Sequence, residues 1–133
     1  MPRKIAIIGA NAAGTDAAVA ARKTDREAEI TLITKENTGA YSRCGLPFVL
    51  GGHIQKFENL IVYPPSYYRM MKFNLRLDTA VTSIDPKAKT VEILDKQGKQ
   101  DTLPYDSLIL ATGSHPFRLP IEGIDKEGVF TLH

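Results

Sequence analysis

The chain holds a single thiol, Cys44, within Tyr41-Ser42-Arg43-Cys44-Gly45-Leu46-Pro47, between a fixed cation and a proline-marked helix start. A neighbouring positive charge and helix N-terminal amides both favour thiolate over thiol, and the thiolate is the nucleophile. The opposite reading is equally physical, because a free cysteine is commonly a small buried hydrophobe. One cysteine cannot form an internal disulfide, and zinc would need ligands that His53, His115 and His133 are not spaced to supply. No metal site is expected, and Cys44 is either inert or the centre of the chemistry.

The second constellation is Gly9-Ala10-Asn11-Ala12-Ala13-Gly14, which suits a phosphate cradle if it follows a strand and opens a helix. Glycine is expected in the middle of such a loop so that the backbone can approach a pyrophosphate. Asn11 stands there instead, a residue that tolerates unusual backbone angles better than most. Glu36 follows Gly14 at close to the 20-residue spacing of an acid that accepts hydrogen bonds from a ribose. Lys35 beside it also permits a plain solvated loop.

The elements around these residues have the required order. Lys4 to Gly9 is a short isoleucine-rich run that reads as a buried parallel strand. Ala12 to Thr24 is an alanine-rich helix, with Ala13, Ala17, Ala20 and Ala21 assigned to one face and Arg22 and Lys23 complementing the dipole at its end. Ile30, Leu32 and Ile33 supply a second strand, parallel to the first through a right-handed crossover. Asn37 to Gly52 reads as loop with a short helix after Pro47, and Tyr67 to Lys72 as a helix entered through proline. Val81 to Ile84, Thr90 to Leu94 and Asp101 to Leu103 form an expected antiparallel meander, and Ser107 to Leu110 a further buried strand ending at Ala111-Thr112-Gly113. The fold class is therefore α/β, a Rossmann-like half-domain in which at least three parallel strands carry a β-meander laid against them.

Bulk properties are ordinary: 133 residues suffice for one domain, and 17 Lys and Arg against 15 Asp and Glu are scattered along the chain. No basic run tracks a nucleic acid backbone, and the first apolar stretch is too short for a signal or a membrane span. A cytoplasmic protein with no nucleic-acid or membrane partner is expected.

Taken with the glycine loop, Ser42-Arg43-Cys44-Gly45-Leu46-Pro47-Phe48 and Leu108-Ile109-Leu110-Ala111-Thr112-Gly113 make the sequence resemble the flavoprotein disulfide reductase superfamily. The branch it resembles contains coenzyme A-disulfide reductases, NADH oxidases and NADH peroxidases. The resemblance implies an FAD-binding site in which Gly9, Ala10, Asn11, Ala12, Ala13 and Gly14 hold the pyrophosphate. It puts Lys35 and Glu36 at the adenosine ribose, the Val81 backbone at the adenine, and Ala111, Thr112 and Gly113 over the cofactor. Cys44 would face the flavin, cycling between thiolate and a mixed disulfide or sulfenate, with Arg43 beside cofactor and substrate. NAD(P)H would reduce the flavin, and a small disulfide or persulfide would be the final acceptor. Lys72, assisted by Lys23, resembles the branch's contact to the coenzyme A phosphate.

Departures narrow the resemblance. The second cysteine of glutathione reductase-like members is replaced by Val49, so a single-cysteine mechanism is implied. The peroxidases' acid-base histidine is replaced by Ala12, which disfavours peroxide and oxygen chemistry, and the usual Asn before the cysteine is Arg43. Residues 1–133 correspond to the N-terminal portion of the FAD-binding domain, without the NAD(P)H-binding and dimerisation domains through which a full-length member would be a homodimer. A truncation, inactive by itself, is the expectation. Other readings are an NADH oxidase, a non-catalytic nucleotide-binding module, and an interaction domain whose cysteine is incidental.

Overall fold

Apolar side chains of β1, Lys4–Ile8, alternate between two buried faces, which is why a run of isoleucine and alanine can sit at the centre of a sheet. The computed structural model describes residues 1–132; His133, one of the histidines weighed as a zinc ligand, lies outside them. The elements are β1, α1 (Ala12–Thr24), β2 (Glu29–Ile33), α2 (Leu46–Leu50), α3 (Pro65–Met70), β3 (Phe73–Arg76), β4 (Thr79–Asp85), β5 (Thr90–Asp95), β6 (Gln100–Pro104) and β7 (Ser107–Leu110), with 3-10 turns at Arg43–Gly45 and Phe57–Leu60. They fall into two units, one formed by Met1–Tyr41 and Ile61–Thr112, the other by Ser42–Leu60 and the chain from Gly113 on.

The first unit is built on a four-stranded sheet of order β3-β2-β1-β7, parallel throughout. Ile5, Ile7, Ile30 and Leu32 join Ala18, Tyr68 and Phe73 in one buried cluster on the face covered by α1 and α3. Ala6 and Ile33 pack with Val91, Ile93 and Tyr105 on the other face, where the antiparallel sheet β4-β5-β6 lies. The expected α/β architecture with its meander is thus present, and β3 is an additional edge strand that the apolar pattern did not announce.

One assignment is corrected. The packed face of α1 is Gly14, Thr15 and Ala18, with Ala17 and Ala21 partly buried, whereas Ala13 and Ala20 are exposed. In so alanine-rich a segment the apolar pattern has little contrast to phase the helix, and Gly14 and Thr15 are buried for backbone proximity and a hydroxyl bond, not for hydrophobicity.

The second unit contains α2, both 3-10 turns and the C-terminal segment. Its short helix begins at Leu46 and takes Pro47 into its first turn, one residue earlier than the sequence reading, which placed it after Pro47. Among the described residues no helix is long and apolar enough to cross a membrane, and no group of three or more His, Cys, Asp and Glu is arranged to hold a metal ion.

Candidate functional site

Carboxyl ends of β1, β2 and β7 meet where the chain leaves β1 for β2 on one side and is flanked by β7 on the other, the place where open α/β sheets form a crevice. The Gly9 amide donates to the Ile33 carbonyl at 2.8 Å and the Ala111 amide to the Ile8 carbonyl at 2.8 Å, tying the loop to both flanking strands. Gly9 has φ +107, outside the range of ordinary side chains, and a Cβ there would collide with the Ala111 carbonyl oxygen. A Cβ on Gly14 would collide with the Gly9 carbonyl oxygen. Three backbone segments are therefore stacked without side-chain spacers, and α1 starts directly over the loop.

Asn11 is the N-cap of α1, its Oδ1 accepting from the Ala12 amide at 2.8 Å. Its φ of −89 is ordinary extended backbone, so tolerance of unusual angles is not why asparagine serves here; capping is. Asn11 Nδ2 is buried without a hydrogen-bond partner in the protein. Ala12 and Ala13 are exposed beside it, and a helix cannot satisfy its first-turn amides internally. Glycines that admit close approach, a helix start and an unpaired amide donor form a cradle whose chemistry fits an anionic diphosphate such as that of FAD.

Glu36 lies just past β2, partly buried, and its backbone is pinned: its amide donates to Thr34 Oγ1 at 3.2 Å and its carbonyl accepts from Asp78 at 2.9 Å. Lys35 is exposed. Val81 lies in β4, the outer strand of the meander, where the β4–β5 register shifts between Val81 and Ser83. Such a bulge bends an edge strand and alters which backbone groups face outward. Thr112 is exposed beyond Ala111. The structure thus brings Gly9 to Gly14, Glu36 and Ala111 to the same end of the parallel sheet.

Sequence reasoning missed a buried hydroxyl network under this end. Thr15 Oγ1 donates to the Ala10 carbonyl at 3.0 Å and lies 3.4 Å from Tyr68 Oη, which accepts from the Ala40 amide at 2.8 Å. Gly39 has no room for a Cβ against the Tyr68 ring. The outer neighbour Tyr67 stacks on Tyr63 with centroids 4.2 Å apart. Burial first, then Tyr63, Tyr68 and Asp16, raise the Tyr67 phenol above its ordinary value of 10.0. Only the sequence's cluster of tyrosines hinted at this group.

Lys23 is exposed in the last turn of α1, and Lys72 is exposed at the end of α3 with φ +54. Arg22 connects the two regions through its bond to the Lys72 carbonyl.

Cys44, Arg43 and Gly113 belong to the second unit. Cys44 is a free, exposed thiol inside the 3-10 turn, so the buried-hydrophobe reading fails. The first two amides after the sulfur are committed within the turn. The Gly45 amide donates to the Ser42 carbonyl at 3.0 Å, the Leu46 amide to the Arg43 carbonyl, and Pro47 has none to give. Arg43 is the remaining neighbour of the sulfur along the chain. Gly113 has φ +69, a turn conformation suited to glycine.

Known proteins match this arrangement. A Methanocaldococcus jannaschii protein named NADH oxidase is 42% identical over 127 residues, covering 95% of this chain and 28% of that protein. A coenzyme A disulfide reductase of Staphylococcus haemolyticus is 30% identical over 132 residues, 98% of this chain and 29% of that protein. The structure of an NAD-dependent persulfide reductase from A. fulgidus superposes with a TM-score of 0.87 and 38% identity over 97% of this chain and 25% of that one. The chain therefore spans less than a third of the length of these relatives. With the parallel sheet, its crevice and the glycine cradle in place, the match of residues 3–133 shows that the chain belongs to the pyridine nucleotide-disulphide oxidoreductase family, FAD-dependent enzymes that work with NAD(P)H.

Proposed function

We propose that this chain is the flavin-binding N-terminal part of an enzyme that passes electrons from NAD(P)H through FAD and the single cysteine Cys44 to a small disulfide or persulfide, of which coenzyme A disulfide is an example. The observation that carries this reading is the exposed, unpaired thiol of Cys44 in a chain that also holds a diphosphate cradle. A nucleotide-binding module needs no accessible sulfur. The names of two relatives, a coenzyme A disulfide reductase and a persulfide reductase, support the acceptor class.

Gly9 to Gly14 would hold the FAD diphosphate, Glu36 with Lys35 the adenosine ribose, and the Val81 backbone the adenine, with Ala111 and Thr112 closing against the loop. Bound FAD supplies a hydride acceptor for NAD(P)H and a two-electron reductant. Cys44, as thiolate, attacks one sulfur of the substrate disulfide, forming a mixed disulfide and releasing one thiolate. Two-electron reduction of that mixed disulfide frees the second thiolate and regenerates Cys44. Over the cycle NAD(P)H, a proton and one disulfide become NAD(P)+ and two thiols. With Val49 in place of a second cysteine, no internal disulfide interrupts this cycle. Arg43 stabilises the anionic sulfur and the leaving thiolate.

The relative at 42% identity is named an NADH oxidase, which favours oxygen as a second reading of the acceptor. Cys44→Ser in the full-length enzyme separates the readings. Loss of NAD(P)H-dependent reduction of coenzyme A disulfide, cystine and polysulfide, with flavin reduction by NAD(P)H retained, is expected. Undiminished disulfide reduction by the serine variant overturns the cysteine's role, and rapid oxygen consumption without disulfide turnover selects the oxidase.

A further inference from the structure

We infer that Tyr68 and Thr15 are positioning residues that couple the glycine cradle to the neck of the cysteine-bearing segment, so that a diphosphate held by the loop tightens the chain leading to Cys44. The inference rests on the proposed readings of the cradle and of Cys44, and it adds how the one bears on the other.

Residues 42–60, which carry Cys44, depart from the first unit and rejoin it through a two-stranded neck. The Val62 amide donates to the Ala40 carbonyl at 2.9 Å, Tyr41 and Ile61 form an antiparallel bridge, and the Ser42 amide donates to the Leu60 carbonyl at 2.8 Å. Tyr68 holds this neck: its Oη accepts from the Ala40 amide at 2.8 Å, and its ring leaves no room for a Cβ on Gly39.

The direction of the remaining bonds is forced, because each hydroxyl has one proton to give. The Ala10 carbonyl can only accept, so the Thr15 proton goes to it at 3.0 Å. The 3.4 Å contact between Thr15 Oγ1 and Tyr68 Oη is then donated by the tyrosine. The order is Ala40 amide, Tyr68 hydroxyl, Thr15 hydroxyl, Ala10 carbonyl, with every dipole pointing toward the cradle. All four residues are buried, so water does not screen the series, and aligned bonds polarise one another. Its last acceptor shares a peptide group with the Asn11 N–H, inside the loop that would hold the diphosphate. Donation to a peptide carbonyl strengthens the N–H of the same group as a donor. An anion at the loop therefore strengthens the series as far as Ala40, and by reciprocity the series strengthens the hold on the anion. The middle link exceeds the about 2.7–2.8 Å usual between hydroxyls, which makes it the point where the two ends uncouple.

The test uses the full-length protein, stripped of flavin and titrated with ADP, which carries the diphosphate and adenosine but no flavin ring to touch Cys44. In the wild type, saturating ADP is expected to slow hydrogen exchange at Ala40, Tyr41 and Ser42 by at least about fivefold, with amides in the centre of β5 unchanged. Thr15→Val leaves Tyr68 to accept from Ala40 and keeps the loop backbone. In it that slowing should vanish while ADP still protects the loop, and the Kd for FAD should rise about fivefold. Thr15→Ser returns the hydroxyl and should restore both. Tyr68→Phe should also lose the slowing at Tyr41 and Ser42, and decides the matter if Thr15→Val does not fold. In the FAD-loaded enzyme, Tyr68→Phe should lower kcat for disulfide reduction roughly fivefold while flavin reduction by NAD(P)H keeps its rate. ADP that slows no amide between Asn11 and Thr15 of the wild type defeats the reading of the cradle, and the inference with it. Slowing at Ala40 that persists in Thr15→Val overturns the coupling. Wild-type kcat in Tyr68→Phe, in an enzyme that Cys44→Ser inactivates, leaves Cys44 as the redox residue and overturns the positioning role.

Discussion

Asn11 serves the helix in one half of its side chain and strains against burial in the other. Oδ1 caps the Ala12 amide, while Nδ2 is buried without a partner in the protein. Capping by asparagine is worth about 1 kcal/mol over alanine, and an unpaired buried donor costs about 1–3 kcal/mol. Serine can cap without bringing an orphan amide. In the FAD-free protein, Asn11→Ala, which removes the cap and the orphan amide together, is therefore expected to stay at or above wild-type stability in chemical denaturation, whereas Asn11→Ser, which keeps the cap and loses only the orphan, should exceed the alanine variant by about 1 kcal/mol. If Asn11 is kept for its amide, the serine variant should also hold FAD less tightly, measured by flavin release on desalting and by fluorescence titration. Asn11→Ser retaining FAD at wild-type affinity removes the amide from the cofactor site. A fingerprint read from sequence identified this position but misjudged its purpose, because the choice between backbone tolerance and capping depends on a φ angle that no residue spacing encodes.

The order of β1, α1 and β2 was legible because isoleucine-rich runs on both sides of an alanine-rich segment admit few other readings, and the meander because Asp85-Pro86-Lys87 and Lys96-Gln97-Gly98-Lys99 are turn chemistry between short apolar strands. β3 was not legible: Phe73-Asn74-Leu75-Arg76 offers two apolar residues at a sheet edge, where pairing with one neighbour asks little of the sequence. The hydroxyl network was illegible for another reason. Tyr68 meets Thr15 across 53 residues and Ala40 across 28, partnerships that only the packing of α3 on the sheet creates. That packing yields an element-scale expectation. Tyr68→Phe keeps the ring and deletes the acceptor, leaving the Ala40 amide buried and unpaired, so stability should fall by about 1–3 kcal/mol. Hydrogen exchange at Ala40 should accelerate while amides in the centre of β1 stay protected, and an unaltered Ala40 rate would show that the hydroxyl does not hold the loop.

The first unit has a core on each side of its parallel sheet, yet β7 at one edge leaves Leu110 64% exposed, an apolar side chain of the strand that ends at the cradle. Phe117, Leu119 and Ile121 are also exposed large apolar residues. Relatives are more than three times as long, and enclosed cofactor sites hold their ligands through contacts on most sides. A polypeptide of these 133 residues is therefore expected to lose FAD on desalting, while the full-length enzyme elutes yellow; stoichiometric flavin on the short chain would refute this. The stacked backbone of the cradle also bears on how the molecule is made. Gly9 is shaped against Ala111, and the Lys4 amide donates to an Asp106 carboxylate 102 residues away in sequence. Contacts this distant close late, because chain must be synthesised and its loop entropy overcome before they form. On the ribosome β1, α1 and β2 can assemble while the meander is still emerging, but the strand that braces the glycine turn arrives only with Ser107 to Leu110. The nascent chain is thus held back from committing to its cofactor until the last strand of the unit has been delivered.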